Sequence, residues 1–96
     1  MRLIWSKPAL QDLTNIDAYL EAHDPQAATT ALRAINTKAK LLREFPGLGP
    51  AFDESVRYVS VSRTPYVLVY AIRRGQVEII RVYDSRQDWR REIDET

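Results

Sequence analysis

Residues 66–83, with the sequence YVLVYAIRRGQVEIIRVY, carry the pattern that decides the fold. Residues 66–72 form a continuous apolar run, which is typical of a central strand covered on both faces. Arg74-Gly75 is a two-residue hairpin signal, and residues 77–83 form the next strand. This stretch therefore predicts a β-hairpin whose first strand is buried on both sides.

A third strand is expected just upstream of this hairpin. Residues 56–62 alternate along the chain, with Val59 and Val61 on one face. Residues 46–50, PGLGP, combine glycines and prolines that cannot continue a helix. Three successive strands after this break predict an antiparallel meander.

Two helices are predicted before the break. Ser6 with Pro8, and Asp24 with Pro25, each place an N-cap residue ahead of a proline in the first helical turn. The connection between the two helices is short, so they should form an antiparallel hairpin. The apolar stripes are Ala9, Leu13, Ile16 and Leu20 in the first helix, and Ala28, Ala31, Ile35, Ala39 and Leu42 in the second.

The predicted fold class is α+β: an N-terminal strand and an antiparallel helical hairpin packed on an antiparallel β-sheet, in the order β-α-α-β-β-β. A chain of 96 residues has room for one core, so we expect a single domain over residues 1–96. The first strand and the hairpin lie within residues 1–45, the meander within residues 52–83, and a charged tail, helical or mobile, in residues 84–96. The expected core residues are Leu13, Ile16, Leu20, Ile35, Leu42, Val59, Val61, Val67 or Leu68, Val69, Ile79 or Ile80, and Val82.

Composition excludes several classes of function. The chain has no cysteine and one histidine, His23, which removes disulfides and cysteine nucleophiles and leaves little material for a histidine-based metal site or triad. No glycine-rich phosphate loop has the required spacing. We therefore expect no catalytic residue, metal or cofactor. No apolar run approaches the roughly 20 residues of a membrane span, and the start lacks a secretory signal, so a cytoplasmic location without a membrane partner is expected.

Charge is unevenly distributed, although the net charge is only +1. Residues 25–43 hold four basic residues and no acid, and residues 57–91 hold eight arginines against three acids. Such blocks fit an acidic partner, a phosphate backbone or ordinary solvated surface. Arginines and aromatics interleave on the predicted sheet, which suits RNA, a protein interface, or tyrosines that complete the core. The residues concerned are Arg57, Tyr58, Arg63, Tyr66, Tyr70, Arg81, Tyr83, Arg86 and Trp89.

An ordered set of short motifs spans nearly the whole chain. The set comprises Ala9-Leu10-Gln11-Asp12-Leu13, Ile16, Tyr19, Pro25-Gln26-Ala27-Ala28, Leu42, Phe45-Pro46-Gly47-Leu48-Gly49, Arg57, Tyr66-Val67-Leu68-Val69-Tyr70, Ile80-Arg81-Val82 and Ser85-Arg86-Gln87-Asp88-Trp89. It resembles the ParE branch of the RelE/ParE superfamily, the toxin halves of bacterial toxin–antitoxin modules. The resemblance implies a ParD-like antitoxin as partner and, for the ParE branch, DNA gyrase as target without catalysis. RelE-like members are instead ribosome-dependent messenger RNA endoribonucleases.

Two positions depart from these family patterns. Val67 stands where RelE-like nucleases commonly carry an arginine, and Tyr83-Asp84 where many ParE-like sequences carry leucine-histidine. Both departures disfavour a nuclease. Three hypotheses follow: a gyrase poison, a RelE-like ribonuclease with an altered site, and a toxin fold that has lost toxicity and still binds its antitoxin. The first is preferred, with no sequence-specific DNA binding by this chain.

Two sets of binding residues are expected. Arg86 and Trp89 are three residues apart and would share one face of a helical tail; alternatively, Trp89 folds back over the sheet and Arg86 pairs with Asp84 or Asp88. The target-binding candidates follow the last strand and are expected to be unnecessary for folding; they are Arg81, Tyr83, Arg86, Trp89 and Arg90. The antitoxin-binding candidates are Arg33, Lys40, Arg43, Arg57 and Tyr58.

Overall fold

A computed structural model describes residues 1–94 and confirms the predicted order of elements. The elements are β1 (Arg2–Trp5), α1 (Lys7–His23), α2 (Pro25–Glu44), β2 (Arg57–Ser60), β3 (Tyr66–Arg73), β4 (Gln76–Asp84) and α3 (Trp89–Asp94). The predicted tail therefore contains a short helix, and its last two residues, 95–96, lie outside the described residues. No helix within residues 1–94 is long and apolar enough to cross a membrane.

The four strands form one sheet in the order β1-β4-β3-β2. β2 pairs with β3 and β3 with β4 in antiparallel directions, as the meander predicts. β1 lies at the far edge and runs parallel to β4, from Arg2 beside Gln76 to Trp5 beside Ile79. This one parallel pair is possible because a long connection through two helices and two strands separates its members.

Side-chain caps begin both long helices, as predicted. Ser6 Oγ accepts a hydrogen bond from Ala9 N at 3.1 Å, and Asp24 Oδ1 accepts two from backbone N–H groups in the first turn of α2. Ser6 Oγ also donates to Ile80 O at 2.7 Å. The cap of α1 is therefore also a tie to β4, and it fixes how the helix lies against the strand.

The helical hairpin covers one face of the sheet with the predicted stripes. Ile35 and Leu42 are almost completely buried, while the α1 stripe residues Leu13, Ile16 and Leu20 pack against the core and remain partly exposed. The buried residues of this core are Ala9, Ala31, Ile35, Ala39, Leu42, Val61, Tyr66, Leu68, Tyr70, Val77, Ile79 and Val82.

A second apolar cluster covers the opposite face of the sheet. Its buried members are Val67, Val69, Tyr83 and Trp89, with Phe52, Val56, Tyr58 and Ile93 packed against them. Trp89 is only 3% exposed, so it folds back over the sheet, as the alternative interpretation predicts, and does not lie outside the core. The physical reason is that β3 is apolar on both faces, and α3 supplies the cover that its second face requires.

Candidate functional site

The first candidate surface is a groove of about 820 Å³ between α2 and the turn that joins β2 to β3. Its apolar lining is provided by Ala34, Leu41 and Val61. Cations flank this lining on both sides, and we call the whole surface the basic groove. Its lining residues are Thr30, Arg33, Ala34, Thr37, Lys38, Lys40, Leu41, Arg43, Glu44, Val61, Ser62, Arg63 and Thr64.

Three of the antitoxin-binding candidates, Arg33, Lys40 and Arg43, lie in the basic groove. Two further cations there, Lys38 and Arg63, were not among the antitoxin-binding candidates. Within residues 1–94 none of these five side chains forms a hydrogen bond or an ion pair. Since Glu44 is the single carboxylate that lines the groove in the described part of the chain, residues 1–94, these residues give the basic groove an excess of positive charge.

The other two antitoxin-binding candidates, Arg57 and Tyr58, do not line the basic groove. Arg57 Nη1 donates to Gly49 O at 2.8 Å, and the Tyr70 hydroxyl accepts from Gly49 N and donates to Pro46 O. Arg57 therefore holds the loop that follows α2. Tyr58 belongs to the aromatic cluster on the second face of the sheet.

The second candidate surface is a cleft of about 560 Å³ between α1 and the carboxyl end of β4. Three of the target-binding candidates, Arg81, Tyr83 and Arg86, line it. We call it the tyrosine cleft. Its lining residues are Asp12, Asn15, Ile16, Tyr19, Tyr66, Arg81, Val82, Tyr83, Asp84, Arg86, Gln87 and Glu92.

Both arginines that line the tyrosine cleft form ion pairs with carboxylates. Arg81 donates to Asp12 at 2.8 and 3.0 Å, and these hydrogen bonds raise the pKa of Arg81. Arg86 donates hydrogen bonds to Asp84 at 2.9 and 2.6 Å. This pairing is one of the alternatives that the sequence predicts for Arg86. Glu92 is a third carboxylate in the lining. The lining residues of the cleft therefore carry a slight negative net charge, in contrast to those of the basic groove.

Three titratable groups of the tyrosine cleft have pKa values that are moved further from neutral pH. Burial raises the pKa of Tyr66 and of Tyr83, and the hydrogen bonds from Arg86 hold the pKa of Asp84 below its usual range. General acid–base catalysis works best with groups whose pKa lies near the working pH. These three groups therefore suit recognition better than proton transfer.

The remaining target-binding candidates, Trp89 and Arg90, lie outside the tyrosine cleft. The Arg90 guanidinium carbon sits 4.3 Å from the centre of the Trp89 ring and 5.3 Å from that of Tyr58. Trp89 is buried and thus positions α3 rather than offering an exposed anchor. Within residues 1–94, no three histidine, aspartate or glutamate side chains are grouped to hold a metal ion.

Asp12 is one of the cleft residues that were not among the target-binding candidates. It lies three residues after Ala9 and four before Ile16, so it falls on the edge of the buried stripe of α1. A carboxylate at such a position needs a partner, and that spacing was the available signal. Lys38 and Arg63 left no comparable signal, because only the packing of α2 against the β2–β3 turn brings them together.

The element order and sheet topology match those of a solved toxin–antitoxin structure. A solved structure described as "Chromosomal ParDE TA system from P. aeruginosa" superposes with a TM-score of 0.78 at 25% identity, over 88% of this chain and 95% of that chain. Residues 3–89 match the family model described as "ParE toxin of type II toxin-antitoxin system, parDE". The chain belongs to this ParE toxin family, as the sequence resemblance predicts.

Two relatives carry names that agree with this family. "Putative toxin Y4kP" of Sinorhizobium fredii is 37% identical over 89 residues, which cover 92% of each chain. "Toxin RelE2" of Caulobacter vibrioides is 33% identical over 81 residues, covering 84% of this chain and 91% of the relative. The chain is therefore a toxin of the ParE/RelE type.

Proposed function

We propose that this chain inhibits growth by binding DNA gyrase through the tyrosine cleft, and that a ParD-like antitoxin neutralises it from the basic groove. The observation that carries the proposal is the contrast between the two surfaces. The groove presents five cations that have no partner within residues 1–94, around an apolar lining, whereas the two arginines that line the cleft are paired with carboxylates. One surface thus suits an acidic partner and the other a partner of mixed polarity.

The antitoxin interface follows from the charge and lining of the basic groove. An acidic amphipathic segment would place its apolar side chains on Leu41 and Val61 and its carboxylates beside Arg33, Lys40 and Arg43. Opposite charge mainly accelerates association, and buried apolar contacts lower the dissociation rate. We therefore expect a tight complex whose association slows as ionic strength rises.

For the target interface we propose Arg81 and Arg86 in the tyrosine cleft. Tyr83 is only 7% exposed and contributes to the wall of the cleft, while Arg90 lies outside it. Aromatic and arginine side chains dominate binding energy at protein interfaces. The guanidinium carbon of Arg81 lies 4.8 Å from the centre of the Tyr83 ring. Asp12 holds the Arg81 guanidinium in place through hydrogen bonds. Trp89 contributes by holding α3 against the sheet. Gyrase is a cytoplasmic enzyme, so this mechanism places the chain in the cytoplasm.

A ribosome-dependent ribonuclease is the second candidate, because one relative is named "Toxin RelE2". The charge of the tyrosine cleft argues against it. An RNA backbone would approach three carboxylates, Asp12, Asp84 and Glu92, and two arginines that are already paired. Val67, at a position where RelE-like nucleases commonly carry an arginine, also argues against the ribonuclease.

Two assays with the purified chain separate the candidates. The gyrase mechanism predicts inhibition of supercoiling and accumulation of linear DNA in a gyrase cleavage assay, both reversed by the antitoxin, with messenger RNA left intact in a translating extract. Ribosome-dependent cleavage without an effect on gyrase would assign the ribonuclease instead. Activity in neither assay, together with antitoxin binding, would identify a toxin fold that retains only the antitoxin interface.

A further inference from the structure

Arg63 adopts a backbone conformation that is unfavourable for an arginine, and nothing in the turn requires an arginine at this position. Its φ is +65°, in the left-handed region that glycine adopts easily and other residues adopt with strain. The turn is closed by hydrogen bonds from Val61 N to Tyr66 O, and from Thr64 N and its hydroxyl to Val61 O. None of these bonds involves Arg63, so glycine would satisfy the turn better.

The side chain of Arg63 is exposed and lies on the strand side of the basic groove. The other four cations of the groove, Arg33, Lys38, Lys40 and Arg43, all come from α2. Arg63 is thus the one lining cation that faces them from the opposite wall. Between the walls lie the apolar side chains of Leu41 and Val61.

We propose that Arg63 determines the specificity of the basic groove, by pairing with a carboxylate on the far side of an acidic amphipathic segment of the antitoxin. The inference rests on the proposed antitoxin interface. A segment that carried acids on one side alone would satisfy only the α2 wall. A segment with acids flanking its apolar face on both sides satisfies both walls, and a forked guanidinium–carboxylate pair with Arg63 fixes its position across the groove.

Arg74 offers a matched control within the same chain. It also has a left-handed backbone, with φ of +54°, and an exposed side chain. It lies at the tip of the β3–β4 hairpin and is absent from the basic groove. Arg63→Gly and Arg74→Gly therefore remove the same charge and relieve the same kind of backbone strain, and they differ in location.

The test measures binding of this chain to its ParD-like antitoxin, taken as the small protein encoded by the reading frame next to the gene for this chain. We expect Arg63→Gly to weaken binding at least tenfold and to reduce the salt dependence of association, while Arg74→Gly binds as the wild type does. Both variants should melt close to the wild-type temperature, since relief of strain offsets the entropy that glycine adds to the unfolded chain. Arg63→Lys should recover part of the affinity, because lysine keeps the charge but not the forked geometry.

Three outcomes overturn the inference. Wild-type affinity in Arg63→Gly removes Arg63 from the interface, while loss of binding in Arg33→Glu or Arg43→Glu would still support the groove. Equal weakening in Arg63→Gly and Arg74→Gly assigns the effect to net charge alone. If the wild-type chain does not bind the adjacent protein, the proposed antitoxin interface fails, and the role of Arg63 fails with it.

Discussion

Asp12 in α1 and Arg81 in β4 are joined at two points across 69 residues of sequence. Arg81 Nε lies 2.8 Å from Asp12 Oδ2, and Arg81 Nη2 lies 3.0 Å from Asp12 Oδ1. Val82 N donates to the same carboxylate at 2.8 Å. The Asp12 side chain therefore ties α1 to β4 and also positions Arg81, which lines the tyrosine cleft.

Replacing Asp12 with alanine should destabilise the chain by about 1–2 kcal/mol. The substitution leaves Val82 N without its acceptor, whereas Arg81 is partly exposed and water can solvate it. Urea unfolding measures the change. A double-mutant cycle with Arg81→Ala isolates the pair, and a coupling energy near zero would show that the two side chains act independently.

Truncating Trp89 to alanine should reduce the free energy of unfolding by about 3–5 kcal/mol, as for other buried aromatic residues. Trp89 is 3% exposed and contacts the rings of Phe52, Tyr58 and Tyr83. Chemical denaturation provides the measurement. Arg86→Ala is the control, because that side chain is exposed and its loss should cost far less stability than the loss of Trp89. A loss below about 1 kcal/mol for Trp89→Ala would contradict the buried position.

The two helix stripes should differ in their sensitivity to truncation. Ile35→Ala should cost about 2–5 kcal/mol, because Ile35 is 1% exposed. Leu13→Ala should cost less, because Leu13 packs against the core from a partly exposed position. Thermal and urea unfolding of both variants give the order. The reverse order would mean that α1 carries more of the core than its burial indicates.

Gly49 and Gly47 form a matched pair in the loop after α2. A Cβ at Gly49 would clash with the backbone oxygen of Tyr58, while a Cβ at Gly47 meets nothing within 4 Å. Gly49→Ala should therefore destabilise the chain by about 1–3 kcal/mol or more, and Gly47→Ala by much less. Comparison of their melting temperatures checks this, and equal values would show that the loop can move away from β2.

Stability should respond to acid through Asp84. Arg86 lowers its pKa in the folded chain through side-chain hydrogen bonds, so this contribution is fully present above the unfolded pKa of about 3.9 and is lost as pH falls through the folded pKa. The stability difference between wild type and Arg86→Ala should be constant above about pH 5 and disappear in stronger acid. Asp53, whose pKa is also lowered, is present in both chains and cancels. If the stability difference persisted unchanged into strong acid, it would have to come from another contact of Arg86.

The sequence was sufficient wherever a local signal fixed the structure. Ser6 and Asp24 cap the helices where their chemistry predicts, and the apolar periodicity identifies the buried faces around Ile35 and Leu42. The direction of β1 had no such signal, since it depends on a strand formed far along the chain.

Residues of the candidate surfaces were harder to assign for the same reason. Whether Trp89 covers the sheet or anchors a partner depends on how α3 folds back, and an apolar second face of β3 is compatible with both. The partner of Arg81 and the place of Arg63 in the groove follow from packing between distant segments. Residue type therefore identified candidates, while tertiary contacts decided which of them are available to bind.

The parallel pairing of β1 with β4 has a consequence for synthesis of the chain. β1 is made first, but its neighbour in the sheet begins at Gln76, about 4–15 s later at translation rates of about 5–20 residues per second. Until then α1 has neither the Ile80 carbonyl for Ser6 nor Arg81 for Asp12. The tyrosine cleft cannot exist on a nascent chain that stops short of β4. A prematurely terminated product that lacks β4 would therefore also lack the tyrosine cleft.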